Sequence, residues 1–196
     1  MGSYKKIILL TFSTMLLGCF GGASSVPVDR FYTLEFSKPG IVKSKYQRIN
    51  INKVRAYGIY NERAMLYSNA KFPLQIKRYH YHHWVMLPTQ LIQQGLKEFL
   101  VNSQISREVA TNQISKKNTL EINVDLLAFE RVIDNGEYSV RTKLVFNVFN
   151  SKGESRSYNY NKSIKVKRDT LHDTAKSYGK ILSDIFNDFL KELALS

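Results

Sequence analysis

Between Leu120 and Val166 apolar and polar residues alternate along the chain, and no other stretch constrains the fold as strongly. Leu120, Ile122, Val124 and Leu126 are separated by Glu121, Asn123 and Asp125. This period of two puts all the apolar side chains on one face of a strand. Asp134-Asn135-Gly136 comes next, and Asn-Gly accepts the positive φ that a tight hairpin turn requires. Val140, Leu144, Phe146 and Val148 share one face of the following run, and Asn150 to Gly153 turns the chain again. Tyr158, Tyr160, Ile164 and Val166 then alternate with Ser157, Asn159, Ser163 and Lys165. Three such runs joined by short turns predict an antiparallel meander with one wet face. The apolar face of such a sheet must be covered.

Two segments have the spacing to cover it. Leu91, Ile92, Leu96, Phe99 and Leu100 recur at helical intervals, leaving Gln93, Gln94, Lys97 and Glu98 outside. Pro88 suits the first turn of this helix, and Thr89 is placed to help cap it. The final segment opens on Thr170 and Asp173, a Ser/Thr-x-x-acid capping box. Its stripe runs through Leu171, Ala175, Tyr178, Leu182, Ile185, Phe186, Phe189 and Leu193.

Upstream, Arg30 to Phe36 reads as a strand ended by Pro39-Gly40, and Gln47 to Val54 as a half-buried strand. Tyr57 to Arg63 is turn-like, and Ala64 to Tyr67 and Leu74 to Tyr79 read as short strands around Pro73. A polar connection follows the first helix. The expected fold is α+β: a largely antiparallel sheet with two helices packed on one face.

Residues 1–29 belong to a different regime. Lys5 and Lys6 precede an apolar run from Ile7 to Leu17, the layout of an export signal. A membrane-spanning helix needs about 20 apolar residues, roughly twice this length. No Ala-x-Ala-like exit is present. Instead, Leu16-Leu17-Gly18-Cys19 resembles the lipobox of bacterial lipoproteins. That resemblance implies cleavage between Gly18 and Cys19 and diacylglycerol on the Cys19 sulfur. One acyl chain anchors marginally and two or more anchor stably, at about 0.8 kcal/mol per buried CH₂. Phe20, rather than Asp, follows the cysteine, which favours the periplasmic face of the outer membrane. The domain expectation is a signal peptide over 1–18, a lipidated tether over 19–29 and a periplasmic domain over 30–196.

Cys19 is the sole cysteine of the chain, so its lipidation leaves no thiol for a disulfide or a metal. The formal charge of +13 suits acidic partners. An exported chain does not meet nucleic acid routinely, so anionic head groups or a protein surface are the better match.

The chain carries little overt chemistry. His80, His82 and His83 are the one histidine cluster, with no cysteine and no acid near in sequence to complete a metal shell. A structural cluster beside Trp84 is the plainer expectation. His172 and Asp173 are adjacent, and neighbours on a helix diverge by about 100°. No nucleophile elbow, phosphate-binding glycine loop or dinucleotide fingerprint occurs. The expectation is a protein that is not an enzyme and holds no cofactor or metal.

Several short motifs carry a family resemblance. Phe31-Tyr32-Thr33-Leu34 resembles the (Tyr/Phe)-Tyr-x-Leu opening of the ABC-type transport auxiliary lipoproteins, the paraquat-inducible protein C-like group. Tyr60 to Tyr67 resembles that family's turn-plus-strand, and Tyr79 with Trp84 to Pro88 resembles its entry into a leucine-bearing helix. The resemblance implies an adaptor subunit of an MCE-type lipid transport system. Its partners would be an MCE-type tunnel protein and inner-membrane permease components, with membrane lipid held through Cys19 and a homo-oligomer as one arrangement. Tyr60, Arg63 and Trp84 become the expected docking residues, with Trp84 equally suited to the core. The alternative is a lipid- or lipopolysaccharide-binding assembly lipoprotein, which would use the basic surface directly.

Overall fold

The computed structural model describes residues 26–113 and 117–195. Its central element is strand β7 (Thr119–Asp134), which pairs along nearly its whole length with β8 (Glu137–Phe149). β8 in turn pairs with β9 (Ser155–Lys165), completing the expected antiparallel meander. Asn135 and Gly136 both take positive φ, 45° and 83°, at the first turn. Gly153 does the same at the second, with φ 83°. A register shift between Leu126 and Ala128 pushes Leu127 outward, and Phe129 then returns to the core side. A bulge of this kind bends the strand and re-aims the side chains beyond it.

The other edge of β7 is assembled from three pieces, all parallel to it. β2 (Tyr46–Ile51) lies beside its start, β3 (Arg55–Ala56) beside its middle and β4 (Ala64–Asn69) beside its end. A short 3-10 turn, Gly58–Asn61, separates the last two. β4 forms a hairpin with β5 (Phe72–Trp84), and β1 (Arg30–Tyr32) adds in parallel to the far end of β5. β6 (Ser106–Thr111) pairs in parallel with the outer edge of β2. The sheet is therefore mixed: among the described residues five of its eight pairings are parallel, while the long ladders are antiparallel.

Helix α1 (Pro88–Ser103) and helix α2 (Leu171–Leu195) cover one face. Ile49, Ile51, Ile122, Leu144 and Phe146 of the sheet share a single core with Leu96 and Leu100 of α1 and Ile185 and Phe189 of α2. The opposite face is wet, as its polar positions require. Asn50 Nδ2 donates to Glu121 Oε2 at 2.8 Å, Asn52 Nδ2 to Asn123 Oδ1 at 2.8 Å, and Arg55 grips Asp125 with two hydrogen bonds.

Several local expectations need correction. The first strand stops at Tyr32, because residues 33–38 leave the sheet and cross the helices as a strap. Phe36 stacks on Phe186, and Ser37 N donates to Ser183 Oγ at 2.9 Å. The strap lies so close that a Cβ at Gly179 would stand 2.1 Å from the Glu35 carbonyl oxygen. The β4–β5 turn falls at Ala70-Lys71 rather than around Pro73. Pro73 sits in the irregular start of β5, where its missing N–H costs no ladder bond. Thr89 is buried rather than capping, and Gln90 Oε1 instead accepts from the Leu87 N–H. At α2 the expected Thr170 cap forms, its Oγ1 accepting from the Asp173 N–H, and only the reciprocal arm differs, the Asp173 carboxylate pairing with Arg168. The polar connection after α1 contains β6.

Candidate functional site

Gly18 and Cys19, the expected cleavage and lipid positions, lie outside the described residues. The remaining candidates meet where β1, β5 and the 3-10 turn approach α2.

Trp84 closes β5 with its ring 5.4 Å from that of Phe129 and 5.5 Å from that of Tyr178. It is 1% exposed. A ring so enclosed cannot be offered to a partner, so Trp84 is a core residue and not a docking residue. Arg63 holds it in place. Trp84 N donates to the Arg63 carbonyl at 2.7 Å, and Arg63 Nε donates back to the Trp84 carbonyl at 3.1 Å. The Arg63 guanidinium also lies 5.5 Å over the ring of Phe31. Tyr60 is half-buried and donates its hydroxyl to Glu130 Oε2 at 3.0 Å. Both Tyr60 and Arg63 are thus engaged within the fold.

Glu130 was not legible in the sequence as special. It is buried, with Arg141 Nε at 3.5 Å from its second oxygen. Burial pushes its carboxyl above the usual range, against the opposing pull of Tyr60 and Arg141. Burial also pushes the Tyr60 hydroxyl up, helped by the Glu130 charge. The next residue, Arg131, is buried on the other side of the strand, 4.0 Å over the Tyr138 ring. It donates to the Tyr79 hydroxyl at 3.1 Å and pairs with Asp169, and the Arg131 hydrogen bond holds that carboxyl below its ordinary range. The available signal was an acid–base pair inside an otherwise alternating strand.

The three histidines separate. His82 Nδ1 lies 2.9 Å from the Tyr32 hydroxyl, and burial, then the Arg30 charge, push its pKa down. His83 Nε2 lies 3.3 Å from Asp29 Oδ1, a carboxylate brought in by the chain ahead of β1. His80 is exposed beside Tyr81. Among the described residues no three His, Cys, Asp or Glu side chains gather where a metal ion could be held. No described helix is long and apolar enough to cross a membrane.

Two of the surface concavities exceed 500 Å³. One, of about 550 Å³, lies between β3 and the start of α1, where Gln93 Nε2 donates to the Asn52 carbonyl and to Asn112 Oδ1. The other, of about 590 Å³, lies between the end of β9 and α2 and is lined by Lys165, Lys167, Arg168, Lys176 and Lys180 around Asp173.

No family model and no curated protein sequence matches this chain. Its fold, however, has solved counterparts. A DUF330 protein of Xanthomonas campestris superposes with a TM-score of 0.73 at 12% identity, over 85% of this chain and 95% of that one. The fold is shared with a DUF330 protein. A second crystal structure, of an uncharacterized protein, superposes with a TM-score of 0.65 at 12% identity, over 85% of this chain and 97% of its own. Both likenesses extend over most of the chain rather than a local motif.

Proposed function

We propose that this chain is an outer-membrane-anchored lipoprotein acting as the adaptor component of an MCE/ABC-type intermembrane lipid transport system. The observation that carries the reading is the fold shared with a DUF330 protein over 85% of the chain. DUF330 is the family of ABC-type transport auxiliary lipoproteins, the one that the Phe31-to-Leu34 and Trp84-to-Pro88 motifs resemble. An adaptor needs an anchor, a rigid domain and a docking surface, and no catalytic group. Tyr60, Arg63, Glu130 and Arg131 are each engaged by a partner within the domain, which supports the rigid-domain part of that role.

Two measurements test the reading. Periplasmic crosslinking of the full chain, followed by mass spectrometry, is expected to recover an MCE-type protein or its permease. Recovery of porins alone would overturn the transport role. Metabolic labelling with palmitate is expected to mark the wild-type chain and not Cys19→Ala, and equal labelling of both would overturn the anchor.

A further inference from the structure

We propose that the tip of the β4–β5 hairpin is a second membrane contact, resting on the same anionic leaflet that holds the Cys19 lipid. Such a contact rests on the Cys19 anchor of the proposed function. Phe72 is 64% exposed and Leu74 fully so, at the start of β5 just after the turn that carries Lys71. The turn at the other end of the meander, Asn150 to Glu154, is polar throughout.

Strand direction decides which end of the domain faces the anchor. β1 runs parallel to β5, with Arg30 opposite His82 and Tyr32 opposite Trp84. The chain therefore enters the sheet from the end where β5 begins, which is the hairpin tip. From His82 back to Phe72 is ten residues, about 33 Å at a strand rise of about 3.3 Å. From Arg30 back to Cys19 is eleven residues, at most about 40 Å at full extension. A lipid on Cys19 thus reaches only a few ångströms past the tip. A bilayer that holds it cannot stand clear of Phe72 and Leu74 while the chain keeps its entry direction.

The same end carries basic side chains at its far edge strand, with the Asp134 and Glu137 carboxylates of the β7–β8 turn between them and the hairpin. Ser139 pairs with Lys165 and Asn69 with Ile133, so the end of β9 lies level with the hairpin tip. There the 590 Å³ concavity presents Lys167 and Lys176, for which the described residues offer no ion pair. An apolar projection with basic side chains at the same end of the sheet, three strands away, matches an interface in which rings enter the acyl boundary and cations meet phosphates.

The test uses the full lipidated chain, in which Cys19 is blocked and an added cysteine can be labelled singly. Leu74→Cys and, at the opposite end, Lys152→Cys would each carry an environment-sensitive dye. The chains would be reconstituted into phosphatidylethanolamine–phosphatidylglycerol vesicles, with lipids brominated near the carbonyl as quenchers. The proposal expects blue-shifted, lipid-quenched emission at position 74 and unshifted, unquenched emission at 152. A chain that floats with the vesicles while both dyes report water overturns the membrane contact and leaves the anchor standing. A chain that does not float overturns the anchor and this contact together.

Discussion

At the scale of single residues, the tightest constraints are a glycine and a buried acid. Gly179 sits mid-helix, where alanine would ordinarily stabilise by about 1 kcal/mol. Here the strap's Glu35 carbonyl occupies the space a Cβ would need. Gly179→Ala is therefore expected to destabilise by about 1–3 kcal/mol, while Gly40→Ala, with nothing within 4 Å, stays near neutral. Denaturant midpoints of the two variants check this. Glu130 gives a pH prediction. Its carboxyl is raised in the fold, so the folded state holds its proton more tightly than the unfolded chain does. Its contribution is full below the ordinary carboxylate range and is lost as pH rises through the raised value. Asp169 and Asp173 act in the opposite sense: both are lowered by their arginine partners, and their contributions are lost as pH falls. Glu130→Gln should remove the first effect alone. Its stability relative to wild type is expected to improve as pH rises from mildly acidic to neutral, and a difference constant across that range would refute the assignment.

At the scale of elements, the strap over 33–38 couples β1 to the helical layer. Phe36 stacks on Phe186 and fills the gap left by Gly95, whose Cβ would stand 2.2 Å from the ring. Phe36→Ala should cost about 2 kcal/mol, less than a fully buried phenylalanine because the ring is only half-buried. Hydrogen exchange is expected to rise over the strap while the β7–β8 ladder keeps its protection. Equal loosening of both would mean the strap is part of the folding core. These elements also show how far the sequence could be read. The meander and both helices were legible because each keeps one period and one apolar face. β6 was not, because SREVAT is a polar edge strand whose pairing lies more than fifty residues away at Tyr46 to Ile51. β1 was shortened for a related reason: Leu34 and Phe36 are apolar, yet their burial is against helices and not within a ladder.

At the scale of the molecule, Trp84, Phe129 and Tyr178 join the hairpin arm, the meander and α2 at one point. Trp84→Ala should destabilise by about 3–5 kcal/mol, the cost of emptying a large core site. Far-UV circular dichroism should still show one transition, since all three parts share that cluster. Two separate transitions would show that the arms fold independently. The sequence by itself determined the α+β class, the meander and the two amphipathic helices, because periodicity and turn chemistry are local. Only the tertiary structure decided that β2, β3 and β4 run parallel to β7, that Trp84 is core, that Asp29 reaches His83, and that β1 runs parallel to β5. Each of these joins residues far apart in the chain. Local pattern specifies which face of a segment is apolar, but not which distant segment will cover it.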